Sequence, residues 1–274
     1  MNSSRSAASA AASANSPAKF CRDTLTGVLA ITEMEVRKLR HDPTDLLTRS
    51  IQPVLWLVIF GQTFAQVRAF QPEGVSYQAF LTPGILSQSV MFIAIFFGIS
   101  IIWEKDMGIL QKFLVMPVPH LALVLGKAFA AGVRALSQAG IVFLLAAVIG
   151  IPLRWHPAGL LGAALVAILG AVFFATLSMV IAALVKTRER FMGVGQLITM
   201  PLFFASNALY PVSIMPAWLK VVAAANPLSY MVDFLRGALV TGQFHNWAMD
   251  MGVLLAAAVV STAVATYLYP QVAG

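Results

Sequence analysis

The residues with chemistry to offer are few in this chain. Asp233 and Arg236 stand three positions apart, the spacing that lets opposite charges pair on one helical face. Glu104, Lys105, Gln111 and Lys112 surround a short run in which Met107, Leu110, Phe113 and Leu114 recur at helical spacing. Arg134, Gln138, Gln196, Ser206 and Asn207 fall within or near long apolar stretches. Such groups can pair, grip or transmit, but no cluster of titratable residues suited to covalent catalysis is visible. His41, His120, His156 and His245 are scattered singly, whereas a metal site needs several convergent ligands, so no metal is expected. Cys21 is the single cysteine and cannot close an intramolecular disulfide. Gly126-Lys127 is followed by Ala128, with no glycine five residues earlier, so it is not a phosphate-binding loop.

The elements that must position these residues follow from composition. Of 274 residues, 59% are hydrophobic and 11% charged, with mean hydropathy +0.83. A soluble domain usually carries about 25% charged residues, so lipid is the solvent this surface suits. Six continuously apolar stretches, at 50–67, 80–103, 126–150, 158–185, 191–214 and 247–269, each approach the ~20 residues that cross the hydrocarbon. Their continuity excludes the alternation of a barrel. The expected fold is therefore an all-α integral membrane protein with six transmembrane helices, comprising residues 43–274.

Orientation follows from Lys and Arg in the gaps. Arg5, Lys19, Arg22, Arg37, Lys38, Arg40 and Arg49 precede the first span. Lys105, Lys112 and Lys127 lie between the second and third, and Lys186, Arg188 and Arg190 between the fourth and fifth. Those thirteen share one side, against Arg68, Arg154, Lys220 and Arg236 on the other, which places both termini in the cytoplasm of a bacterial-type inner membrane. The net charge of +7 is thus a topology signal and calls for no nucleic acid.

The remaining segments have distinct characters. Residues 1–19 are Ser/Ala-rich and read as a disordered cytoplasmic tail. Over 20–42, Leu25, Val28, Leu29, Val36 and Leu39 share one face, with Arg22, Glu33, Arg37, Lys38 and Arg40 around the rest. Two readings fit: a helix lying in the membrane surface among lipid headgroups, or a solvated helix packed on protein. Between the last two spans, Pro216 opens a short helix, Asn226-Pro227 breaks it, and Ser229 can cap another running to Gly237. These are read as short re-entrant helices on the extracytoplasmic face, shielded by protein or water.

The six apolar cores are read as free of Asp and Glu, which disfavours a proton-coupled carboxylate relay. Any uphill transport would then draw its energy from another polypeptide. The run Trp103 to Pro117 is a short amphipathic helix that either rests on headgroups or docks into a partner's groove. Arg134, two turns into a span beginning near Gly126, either snorkels to the headgroups or attracts an anionic substrate. Small residues from Gly126 to Gly132 and Gly159 to Gly170 allow close helix packing.

Two stretches resemble the membrane subunit of type-2 ABC permeases, the family that includes daunorubicin-type drug-efflux and nodulation-factor or polysaccharide exporters. One is Glu104-Lys105-x-x-Gly108-x-Leu110, ending in Met116-Pro117. The other runs from Asn207-Ala208-Leu209-Tyr210-Pro211 through Pro216-Ala217-Trp218-Leu219 to Asn226-Pro227-Leu228-Ser229-Tyr230, with Asp233 and Arg236-Gly237. The resemblance implies a dimer of permeases, of one chain or of two paralogues, on two ATPase subunits that bind the ATP and Mg; this chain would bind no cofactor. It implies that Glu104, Lys105, Gly108, Leu110 and Phe113 belong to a cytoplasmic coupling helix receiving the ATPase stroke. Arg37, Lys38 and Arg40 would lie on the interfacial helix. Tyr210, Pro211, Asn226, Pro227, Tyr230, Asp233 and Arg236 would form the extracytoplasmic re-entrant segment. Arg134, Gln138 and Asn207 are candidates for the substrate path, with the alternative that the glutamines and Asn207 link helices, since polar side chains pair across helix interfaces. The expected function is export of an amphipathic, lipid-linked or drug-like molecule. A membrane scaffold without a translocation path is the alternative, favoured by the scarcity of strong polar groups in the spans.

Overall fold

An apolar chain in lipid must bond its own backbone, and helices do so within one segment. The computed structural model describes residues 17–41, 44–65, 74–115, 119–185, 187–244 and 246–272; side chains at 17–23, 35, 38–41, 44–47, 49, 113–115 and 272 lie outside that description. Among the described residues there is no strand. The expected tail lies outside them up to residue 16.

Helix α1 is Pro17–His41. Helix α2 is Thr44–Leu55, prolonged by a π turn at Trp56–Phe60 and a last turn at Gly61–Phe64. Pro53 lies inside α2 just before the π turn; proline has no N–H for the ladder, and a wider turn there accommodates the broken pattern. Then come α3 (Tyr77–Asp106), α4 (Ile109–Val115), α5 (His120–Ile149), α6 (Pro157–Val185) and α7 (Arg188–Phe204). A 3-10 turn at Val212–Ile214 leads to α8 (Ala217–Ala225) and α9 (Pro227–Arg236), which continues as a π turn at Gly237–Thr241. Helix α10 (Trp247–Leu268) closes the chain with a 3-10 turn at Tyr269–Val272.

Four of these helices, α3, α5, α6 and α10, are long and apolar enough to cross a membrane. The expected fifth span ends early: α7 stops at Phe204, and residues 205–215 are turns. The first expected span is a shorter apolar helix, ending at Phe64. Helix α5 starts at His120, ahead of the expected Gly126. The apolar stretches are also not free of acids, since the last, 247–269, contains Asp250. Glu104 is buried within α3, and Asp250 is buried in the first turn of α10.

Helix α6 lies at the centre, packed on α3, α5 and α10. Small residues on α6 also let α9 and the π turn after it approach closely. A Cβ on Gly170 would meet the Met231 sulfur at 2.6 Å, and one on Gly159 the Ala238 carbonyl at 2.7 Å. Helix α1 lies against the start of α5, with Val28 and Ile31 buried and the Thr32 hydroxyl donating to the Gly126 carbonyl at 3.1 Å. Leu25 and Leu29 remain exposed on α1, so one apolar face serves both protein and surroundings.

Gly126 lets α1 come close to α5: a Cβ there would lie 2.7 Å from the Ile31 Cβ. Gly126→Val is expected to destabilise the protein by about 1–3 kcal/mol through overpacking. A lowered unfolding temperature in detergent would report it, and Ile31→Ala in the same chain should recover part of the loss.

Candidate functional site

The amphipathic run after the second expected span folds as an elbow. Helix α3 ends at Asp106, Gly108 takes the left-handed conformation (φ +69°), and α4 sets off at Ile109. That conformation is strained for a residue with a Cβ, which accounts for glycine between two helices. The residues of the elbow divide sharply by exposure. Trp103, Asp106, Met107, Gln111 and Lys112 are exposed, and Lys105 is half-buried. Leu110 turns fully inward into a buried apolar cluster that also holds Ile31 of α1, Ile101 of α3, Leu123 of α5, Met179 of α6 and Tyr269 after α10. Sequence spacing placed Leu110 on the same stripe as Met107, but the turn at Gly108 separates them. The Phe113 side chain lies outside the described residues.

Glu104 does not face outward either. Its carboxylate accepts a hydrogen bond from the Lys127 ammonium at 2.6 Å, and both side chains are almost completely buried. This pair fixes the end of α3 to the first turns of α5. A second clamp joins the elbow to α7: Arg188 reaches Asp106 at 2.5 Å and lies 3.8 Å over the Trp103 ring. Arg and Trp suit this contact, since a guanidinium stacks on an aromatic face while its fork binds a carboxylate. On α1, Arg37 pairs with Glu33 at 2.6 Å in an exposed bridge, whereas the side chains of Lys38 and Arg40 lie outside the described residues.

The opposite end of the bundle is tied by neutral and charged hydrogen bonds. Asn226, rather than Ser229, caps α9, its side chain accepting from the Leu228 N–H at 3.0 Å while its amide donates to the Leu202 carbonyl at 2.6 Å. Pro227 follows at the first helical position, where its missing N–H costs nothing. The Tyr230 hydroxyl donates to the Ala224 carbonyl at 2.6 Å and Tyr210 to the Phe204 carbonyl, while Pro211 precedes the 3-10 turn. Asn207 donates to Asp233 at 2.5 Å, and Arg236 donates to the Asn207 carbonyl at 2.9 Å and approaches Asp233 at 3.4 Å. The same guanidinium lies 3.9 Å over Phe80 of α3. Burial lowers Arg236 to about 10, with Asp233 opposing the shift, so it stays charged at neutral pH. Asp233 is half exposed to a cavity of about 270 Å³, yet the protein around it raises its carboxyl, with Arg236 and Asn207 pulling it back.

The three candidate path residues are not brought together. Asn207 belongs to the end just described. Arg134 and Gln138 share one face of α5, four residues apart. Because α5 starts at His120, Arg134 lies roughly 21 Å along it at 1.5 Å per residue, deeper than two turns. Its guanidinium carbon is 5.0 Å from the Phe97 ring centroid. Gln138 is fully buried, and neither its amide nitrogen nor its oxygen has a hydrogen-bond partner. Among the described residues no three His, Cys, Asp or Glu converge as metal ligands do.

Sequence reasoning missed Lys127, which counted only as a topology charge. A lone lysine in the first turns of an apolar helix, following a helix whose end carries a glutamate, was the available signal. Tyr77 and Phe80 were missed too, since nothing in an apolar run marks a ring that receives a carbonyl or a guanidinium from more than 100 residues away. The Tyr77 hydroxyl donates to the Leu209 carbonyl at 3.1 Å.

Residues 26–240 match the family model for the ABC-2 type transporter. The chain is 30% identical to nodulation protein J of Rhizobium leguminosarum bv. viciae over 227 residues, 82% of this chain and 86% of that protein. It is 27% identical to the daunorubicin resistance ABC transporter permease protein DrrB1 of Streptomyces coeruleorubidus, across 79% of this chain and 75% of that one. A putative transport permease ycf38 of Cyanophora paradoxa is 28% identical, across 73% of this chain and 69% of its own.

Removing one partner of a buried ion pair strands the other charge. Glu104→Ala is therefore expected to destabilise the protein by about 3–5 kcal/mol, read as a lowered unfolding temperature. Replacing both residues with methionine should restore most of the stability. Equal melting of the wild type and Glu104→Ala would show that the pair does not hold the two helices.

Proposed function

The chain belongs to the ABC-2 type transporter family, and on that premise we propose that it is the membrane-spanning permease of an ATP-driven exporter. The observation that carries the proposal is the elbow. Its outer face presents Trp103, Met107 and Gln111, while its inner face is fixed to the bundle by Glu104–Lys127 and Leu110. A push on that outer face reaches α5 and α7 directly, because the elbow is bonded to both. Such a contact suits a separate ATPase, which would hold the ATP and Mg.

Six crossings are the reading that these contacts support. Asp106 meets Arg188 at one end of α3, and Tyr77 meets Leu209 at the other, so α7 with its following turn runs the length of α3. Helix α2 with its prolongation covers 44–64, roughly 31 Å at 1.5 Å per residue. It finishes beside the start of α3, where Phe64 and Tyr77 rings are 6.1 Å apart. With both termini cytoplasmic, the elbow faces the cytosol and α8–α9 the outside of a bacterial-type inner membrane. Two such permeases, or this chain with a paralogue, would enclose a path beneath two ATPases. The cargo would be amphipathic, lipid-linked or drug-like, in keeping with relatives named for daunorubicin resistance and nodulation.

Purification of the full-length chain from its native membrane should bring down an ABC-type ATPase in equal amount, and hydrolysis in liposomes should respond to the permease. Met107→Asp is expected to lower that response severalfold without changing the unfolding temperature, because Met107 is exposed. A chain that pumps cargo alone, or that brings down no ATPase, would defeat the proposal.

A further inference from the structure

Gln138 stands out among the described residues because both ends of its buried amide lack a hydrogen-bond partner. The hydroxyls within the long helices mostly bond back to their own turns: Thr82 to the Gln78 carbonyl, Ser87 to Pro83, Ser89 to Ile85, each at 2.7–2.8 Å. A glutamine amide has two donors and an acceptor to satisfy. Gln138 is fully buried and satisfies neither end, although an unbonded polar group in a dry interior is strongly disfavoured.

Gln138 belongs to the wall of a cavity of about 210 Å³ between α2, α3 and α5. The other polar groups on its walls are Thr48, Gln52, Gln88 and Ser89. The rest is apolar, from Pro53, Phe92, Ile93 and Phe96. Among the described residues, none of those lining the cavity is charged. Thr48 is exposed and Gln52 half-buried, so the cavity opens at the α2 side. Gln88 and Gln138 each lie eighteen residues, roughly 27 Å at 1.5 Å per residue, from the end of their helix nearest the elbow. The polar wall is therefore deep in the bundle and not at its rim. Few, convergent, neutral hydrogen-bonding groups in a mainly apolar pocket are what a ligand-orienting site requires.

We propose that this cavity is a binding site for an uncharged head bearing hydroxyl or amide groups on an apolar body, such as a sugar or amide carried on a lipid tail. Three carboxamides from three helices can each give and take a hydrogen bond, which matches hydroxyls and amides in either role. A cationic or anionic head would enter without a counter-charge among the lining residues, at a cost that the carboxamides do not offset. The ligand would complete the bonds that Gln138 lacks. The assignment rests on the permease reading only in taking the cavity as part of a cargo route.

The test is photolabelling of the full-length chain in lipid nanodiscs, without ATPase or nucleotide. The probes are four alkyl diazirines with one tail and different ends: β-glucoside, quaternary ammonium, sulfate, and plain methyl. The glucoside should label the 88–96 stretch, and Gln138→Leu should reduce that labelling about fivefold or more, as the loss of one or two buried hydrogen bonds implies. Gln52→Leu, at a half-buried position where folding is not at risk, should reduce it at least about twofold on the same reasoning. Labelling independent of the head group, stronger labelling by a charged probe, or no change in either variant that folds would overturn the assignment. Since no ATPase takes part, such a result would leave the exporter reading intact, and failure of ATPase capture would leave this binding result intact.

Discussion

Two opposite charges meet where water does not reach, and the elbow end of the molecule is arranged around them. Glu104 and Lys127 are 2.6 Å apart with their side chains almost wholly buried. Either alone would be severely penalised in so apolar a setting, so each requires the other to be in place. Such a pair adds little net stability over two apolar residues, but it fixes geometry, because a charge cannot slide along an apolar surface. The ends of α3 and α5 are thereby set in register. Leu110, fully buried two residues past Gly108, then anchors the start of α4 in an apolar cluster shared with five other segments. The exposed face of the elbow is the visible side of a junction whose other side belongs to the core.

At the other end the same logic uses weaker charges and more hydrogen bonds. Asn207 shares its amide and carbonyl between Asp233 and Arg236, and the Arg236 guanidinium rests over Phe80. Asn226 is both cap and cross-link. Broken helices leave backbone groups without partners, and here asparagine and tyrosine side chains supply them. The turns after α7 are thus a bonded structure, not a slack loop, which is why the chain can leave helical geometry after Phe204 without leaving the bundle.

Much of this was legible in advance where one residue type has one physical meaning. Long apolar runs without alternation had to be helices. Asn226-Pro227 had to break a helix, and small residues near Gly126 and Gly159–Gly170 had to mark close contacts, as Ile31, Ala238 and Met231 demonstrate. Less legible were residues whose meaning depends on a partner far away in sequence. Leu110 and Met107 look alike on a helical wheel, yet one is buried and the other exposed because Gly108 turns between them. Helix α5 began six residues early because the apolar run Leu121–Leu125, between Pro119 and Gly126, is already helical, and Arg134 moved deeper as a result.

Composition and neighbours a few residues apart are enough to indicate the solvent, the helical class, the break at Asn226-Pro227 and the family likeness. It takes the packing of distant helices to set Lys127 against Glu104, to lay Arg236 over a ring more than 150 positions earlier, and to place Gln138, its amide unpartnered, in the wall of a cavity. Burial and pairing are set by which helices become neighbours. That choice is made by the packing of whole faces, and no single residue carries it.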